Sequence, residues 1–413
     1  MPEIWLPYGS VEVAVSLKAE NLGEEISQQA PPISEETIQE TLGKIELEGR
    51  TSIFSPKPSN SSLEIIRRIL GKFSEQGSDL STITIHTDEN NISKIKKNLD
   101  NKKVNIAGIE KPTKKIGKID GVDVRIPKAL QEAKSRIIIT DVGLDPLFGF
   151  SGGPVSLIRY FAKNAVAESF RRRKNNYPSP GKESDPSLFA NEYADFLNEL
   201  LSIEVLPSNI GVSGIYYGNL VDAHKSASQQ LLETSRVTVG RDIRALIAST
   251  SSYENGSTLA SSLKAVWNVA GGVNDKGHLA LVAECSEGLG SEALKMYVSG
   301  RLDVKKMLKS GDYIEGFEDL VYIQTALHRS TLILVSALPD YYTEMKMGFH
   351  ACRKAGDALS HILSITGART KVHIIDKGST TLLSKKEWSP ITSISGWARN
   401  TGCENTPILT VKR

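Results

Sequence analysis

Apolar and polar side chains alternate over residues 2–18, the period of a half-buried strand or hairpin. Gln28–Glu36 reads as a loop closing on a helix start at Ser34-Glu35-Glu36. Thr51–Phe54 and Ser81–Ile85 are short strand patterns, and Leu63–Phe73 between them has helical spacing. The turn Ser55-Pro56-Lys57-Pro58-Ser59-Asn60 is polar, and its two prolines forbid a helix. Ile137–Thr140 is a continuous β-branched run, as in a buried parallel strand, and it leads through Gly149–Gly153 into a long helical pattern. From about Val237 the alternation repeats. Ala245–Thr250, Leu279–Ala283, Thr331–Ser336 and Val372–Ile375 read as strands. Ser257–Ala270, Ser291–Ser299 and Tyr342–Leu363 read as helices, the last interrupted near Gly348. This pattern predicts an α/β protein of two domains, each a mostly parallel sheet with flanking helices, with a ligand cleft between them. The expected division is 1–236 and 237–413, and the last residues can return to the first domain. In such sheets ligands sit beyond the carboxyl ends of the strands, here Ser251-Ser252-Tyr253, Glu284–Gly288 and Ala337–Asp340.

A length of 413 residues suits two domains. A net charge of +2 creates no general field for nucleic acid or membrane. Cys285, Cys352 and Cys403 lie far apart and none pair at CxxC spacing, which fits buried thiols and argues against a cysteine metal site. The start MPEIWLPYGSVEVAV lacks the basic and apolar regions of a signal peptide, and no apolar run approaches the ~20 residues of a membrane span. A cytoplasmic protein without a membrane partner is expected. Arg171-Arg172-Arg173-Lys174 opens a Pro- and Ser-rich stretch to about Pro186, expected to be a mobile surface loop. Only Tyr177 interleaves its charges, so a solvated helix end explains it better than a nucleic-acid site.

The glycine segment offers chemistry. A strand passing through glycines into a helix start turns backbone N–H groups toward the positive end of the helix dipole, which suits a phosphate or carboxylate. Gly149, Ser151, Gly152 and Gly153 are therefore candidates for binding an anion or nucleotide; the plainer reading is a tight turn. No Gly-Lys-Ser/Thr follows and the GxGxxG spacing is absent, so neither standard nucleotide motif applies. Asp145 at the mouth of the loop is a candidate base, or a turn residue capping backbone. His86, at a strand end, is a second candidate catalytic group, set against an ordinary surface histidine. Lys57 and Lys264 can bind a carboxylate, or simply face solvent. Glu284 and Glu287 have no histidine at metal-site spacing, so no metal site is assigned.

Five stretches in order carry a resemblance: Leu6-Pro7-Tyr8-Gly9, DVRIPKALQEA at 123–133, Gly149-Phe150-Ser151-Gly152-Gly153, GNLVDAHK at 218–225 and NDKGHLALVAECSEGLG at 274–290. Together they resemble the lactate racemase family, the nickel-pincer-nucleotide racemases and epimerases of 2-hydroxyacids. The resemblance implies two α/β domains facing across a cleft, and a pyridinium-derived nickel pincer as hydride acceptor. It further implies a lysine after the Gly-Gly that holds the cofactor, a histidine on the metal, two histidine bases and an arginine for the substrate carboxylate. This chain departs from that residue pattern at nearly every point. Pro154 and Val155 follow the glycines, and no histidine lies between His86 and His224. The base positions fall near Asp145 or Pro146 and near Asp88 or Glu89, and only Lys57 brings charge to the arginine turn. His224, in the Ala-His-Lys match, is expected to pack or cap. The expectation is a divergent, lactate-racemase-like protein without the covalent cofactor, binding a small anionic metabolite or nucleotide in the cleft, with self-association left open. One alternative is an active 2-hydroxyacid isomerase with altered catalytic residues. The other, least supported, is a nucleic-acid-binding regulator using Arg171–Lys174.

Overall fold

A computed structural model describes residues 2–385 apart from 28–29, 100–102, 110–112, 198, 209 and 241–242. The expected return of the last residues, and Cys403, lie outside the described residues.

Two six-stranded sheets organise the chain. The first has the spatial order Gly211–Asn219, Leu201–Ser208, Ser135–Asp141, Thr51–Phe54, Ile83–Thr87, Asn105–Gly108. It is parallel except for the antiparallel pair at its Gly211–Asn219 edge. The second is parallel throughout: His350–Cys352, Thr331–Val335, Val273–Val282, Ile243–Ser249, Val372–Ile375, Leu22–Ile26. Strands of this kind are covered on both faces, which is why they read as unbroken apolar runs. Ile137, Ile138 and Ile139 are all buried, and alternate between two core clusters. Helix Asn60–Glu75 follows the rule for its face: Leu63, Ile66, Leu70 and Phe73 are buried at three- and four-residue spacing, and Ser59 caps its start. Among the described residues no helix is long and apolar enough to cross a membrane.

The chain enters through the second sheet. Glu3–Tyr8 and Val11–Ser16 pair as a hairpin, and Ile4, Leu6 and Val15 join Ile247, Val282 and Ile333 in one core. Leu22–Ile26 then forms that sheet's edge strand beside Val372–Ile375. Residues 3–26 thus build onto the second sheet, not onto the unit expected for 1–236. Alternation along a strand shows that one face is buried, but not which sheet buries it.

Two other expectations are revised, and one matched stretch takes a definite form. Residues 123–133 are a strand, Val122–Ile126, followed by a short helix, Lys128–Glu132, because Pro127 ends the first and opens the second. Residues 342–363 are not one interrupted helix. A π-type turn at Tyr341–Lys346, a strand at His350–Cys352 and a helix at Ala355–Thr366 replace it, with Gly348 at φ +80° turning the chain. The stretch 173–186 is pinned down: the N–H of Ser179 donates to the Pro146 carbonyl and that of Gly181 to Gly149, each at 2.8 Å. The hairpin Leu201–Ser208/Gly211–Asn219 was not anticipated.

The largest core cluster runs through both halves. Phe170 meets Phe317 at 5.3 Å and Tyr313 at 5.5 Å between ring centroids. An apolar seam of this kind holds two units in one orientation better than a polar interface does.

Gly149 has φ +83°, and a Cβ there would lie 1.9 Å from the Lys182 carbonyl oxygen. Gly121 has φ +87° with nothing within 4 Å. Gly149→Ala is therefore expected to cost about 3 kcal/mol or more, as strain plus overlap. Gly121→Ala should cost only about 1–2 kcal/mol for the left-handed backbone. Denaturant midpoints of the two variants check this ordering.

Candidate functional site

The glycine segment is anchored from behind. Strand Ser135–Asp141 ends in a half-buried carboxylate: Asp141 accepts the N–H of Ser59 at 2.7 Å, its hydroxyl at 2.6 Å and the Ser62 hydroxyl at 2.7 Å. Burial pushes the Asp141 pKa up, and these donors oppose the rise. The chain then folds into a tight antiparallel turn, Gly143–Asp145 against Gly149–Ser151. Asp145 closes it by accepting the N–H groups of Leu147 and Phe148 through Oδ1, each at 2.9 Å. Its Oδ2 takes Nη2 of Arg159 at 2.9 Å.

Helix Gly153–Phe161 starts against protein, not against open space. The Gly153 N–H donates to Thr140 Oγ1 at 2.8 Å and to Glu204 Oε2 at 3.1 Å. Glu204 has no exposed surface, and it also accepts the hydroxyls of Thr140 and Ser202. Its Oε2 stands 3.7 Å from His224 Nδ1. A Cβ on Gly153 would meet His224 at 2.9 Å, and one on Gly152 would meet Glu204 at 3.0 Å. Of the anion seat expected on Gly149, Ser151, Gly152 and Gly153, the Gly153 N–H is taken by Thr140 and Glu204. An internal carboxylate already serves the first donor at the positive end of this helix, and the glycines allow close packing. His224 packs over the same helix start.

The basic cluster is also accounted for. Arg171 and Arg172 pair with Glu168 at 3.1 Å, Arg172 with Asp120 at 2.8 Å, and Lys174 with Asp185 at 3.0 Å. Arg173 lies over the Phe170 ring at 3.5 Å. Beside it, a cavity of about 380 Å³ lies between Leu147, Arg173, Tyr177, Lys182 and Tyr322.

The second half supplies the opposite wall. Helix Leu259–Val269 carries Lys264 and Trp267, and helix Phe317–Arg329 carries Glu318 and Asp319. Arg159 reaches Glu318 Oε1 at 3.5 Å, so one guanidinium joins a carboxylate from each half. The other Glu318 oxygen accepts the Tyr313 hydroxyl at 2.7 Å. Trp267 Nε1 donates to Asp319 Oδ1 at 2.9 Å. Lys264 is exposed to solvent at its tip, with protein packed around its stem. Its pKa is lowered, first by loss of water and then by Lys57 and Arg159, while Asp145 and Asp319 oppose the shift. The Asp319 carboxyl is pushed up to about 7, chiefly by burial and by Glu318, against the Trp267 hydrogen bond, Arg159 and Lys264.

The structure thus links Asp145, Arg159 and Glu318 by ion pairs, and Lys264 lies within electrostatic reach of Lys57, Asp145, Arg159 and Asp319. It does not bring His86 to this group. That ring is 3% exposed, stacked on Phe54 at 4.5 Å, with Nε2 3.4 Å from Ser52 Oγ, so His86 is a core residue. Arg159, Glu318, Asp319 and Glu204 were missed. Glu204 had a signal, a single charge inside an apolar strand run; the acidic pair 318–319 reads only as a favourable first helical turn.

Among the described residues no group of three His, Cys, Asp or Glu is placed to hold a metal. Val155, where the resemblance would place a cofactor lysine, is 2% exposed within the core. These residues do not fit a covalently held nickel nucleotide.

No family model and no curated protein matches the chain. Solved structures do match its fold. The lactate racemase apoprotein from Thermoanaerobacterium thermosaccharolyticum superposes with a TM-score of 0.74 at 17% identity, over 92% of this chain and 100% of that one. A Thermotoga maritima protein superposes with a TM-score of 0.66 at 13% identity, over 87% of this chain and 100% of that one. The fold is lactate-racemase-like.

Arg159→Met would leave Asp145 and Glu318 buried without their cation, and is expected to cost roughly 3 kcal/mol of stability by denaturant unfolding. Asp319 gives a pH test. Its folded pKa of about 7 lies above the unfolded value near ~3.9. The stability it contributes is therefore present below about pH 4 and lost as pH rises through 7. Asp319→Asn keeps an acceptor for Trp267 and removes the titration. Its melting temperature relative to wild type should climb between pH 5 and pH 8; a difference that stays flat contradicts this assignment.

Proposed function

We propose that the crevice between the two halves binds a small carboxylate-bearing metabolite of the 2-hydroxyacid class, and that it does so without a covalent nickel-pincer nucleotide. On this reading the chain is a divergent relative of the lactate racemases. The observation that carries it is the convergence of Lys57 from the first half and Lys264 from the second. Two ammonium groups close enough for one to depress the pKa of the other gain from an anion placed between them. Arg159 is already committed to Asp145 and Glu318, so it shapes the wall, and the lysines meet the ligand. The fold likeness supports the ligand class as an analogy only.

A second reading, an isomerase with altered catalytic groups, is favoured by Asp319. A carboxyl titrating near neutrality beside a lysine of lowered pKa is suited to proton exchange with a bound ligand. The division of the chain is part of the same proposal: one unit from about residue 30 to 236, and a second containing 3–26 and 237–385.

Calorimetry with D- and L-lactate and malate tests the binding reading. Lys57→Met and Lys264→Met should each weaken binding about tenfold, the loss of one charged contact. Undiminished affinity in both variants contradicts it. Loss of optical activity from either lactate enantiomer would favour the isomerase. Intact mass should equal that of the chain; an increase of several hundred daltons (roughly a nucleotide) would overturn the cofactor reading.

A further inference from the structure

The far end of the second sheet carries a different feature. Where strands Ile243–Ser249 and Val372–Ile375 begin, opposite the crevice, a shallow groove of about 580 Å³ opens. Arg244, Arg369, Lys371, His373, Thr366 and Thr370 line it, and none of its described lining residues is acidic. We propose that this groove is a binding site for a polyphosphate group, separate from the crevice.

The arginines carry the argument. Several arginines elsewhere in the chain are held by carboxylates: Arg159 by Asp145, Arg172 by Asp120, Arg329 by Asp275 and Arg353 by Asp340. The side chains of Arg244 and Arg369 form no hydrogen bond or ion pair with any described residue, and both residues are exposed in the groove. Lys371 is fixed at the rim by donating to the Leu22 carbonyl at 3.0 Å. His373 accepts the Glu24 N–H through Nδ1 at 3.2 Å, so the proton of its neutral ring sits on Nε2. The Thr366 and Thr370 hydroxyls donate to the carbonyls of Ile362 and Thr366.

Helix Ala355–Thr366 ends here, and its negative end accounts for cations just beyond it. It does not account for Arg244, which comes from another strand. Three like charges in one concavity repel one another, and a multivalent anion relieves that repulsion. Guanidinium forks grip phosphate oxygens two at a time. The volume exceeds that of one phosphate and suits a chain of them. No Phe, Tyr or Trp lines the groove, so nothing there stacks on a base, and the phosphate chain is the recognised part.

Calorimetry at low ionic strength with inorganic triphosphate and with ATP tests the proposal. Both should bind with affinities within about threefold of each other, and binding should weaken as salt is raised. The double variant Arg244→Gln/Arg369→Gln should lose at least tenfold for both ligands. Its melting temperature should stay at the wild-type value, since both side chains are exposed. Lys264→Met should bind triphosphate as wild type does, which keeps this site distinguishable from the crevice. No binding by wild type, or equal binding by the double variant, overturns the proposal.

Discussion

Arg159 sits between Asp145 and Glu318, and the crevice depends on that placement. The Asp145 and Glu318 side chains are 5% and 6% exposed, so neither carboxylate is well screened by water, and the cation between them is what allows both to stay. Asp145 in turn holds the turn that leads to the glycines. Glu318 begins the helix that carries Asp319. The contact of Phe170 with Phe317 runs beside this ion pair and adds an apolar seam. With the seam and the charge bridge together, the two walls keep one spacing, and Lys57 and Lys264 come within electrostatic reach.

At the glycine segment a helix start is met from inside the protein. Glu204 places a carboxylate at a helix start that would otherwise attract an anion. Thr140, Ser202 and the Gly153 N–H supply the donors this buried charge needs. The glycines then serve the close approach of His224 and of the Lys182 backbone.

Much of the architecture was legible in the sequence. Runs such as Ile137–Thr140 and Val372–Ile375 are strands covered on both faces, and local pattern is enough to see that. Pairing between distant segments was not legible. Nothing local shows that Leu22–Ile26 pairs with Val372–Ile375 across the whole chain, or that 201–219 is a hairpin at a sheet edge. The site divides the same way. Lys57, Asp145 and Lys264 could be named as residue types at strand ends or on helices. Their company, Arg159, Glu318 and Asp319, is set by tertiary packing. His86 looked like a strand-end base because sequence cannot show that Phe54 covers its ring.

A double-mutant cycle on lactate binding tests the central claim most directly. Two lysines that hold the same carboxylate are energetically coupled; two that merely border the crevice are not. Affinities of wild type, Lys57→Met, Lys264→Met and the double variant give the coupling energy. The account predicts about 1 kcal/mol or more, with the second substitution costing less once the first is made. Additive losses, or no loss in any variant, would contradict a shared ligand between the two lysines.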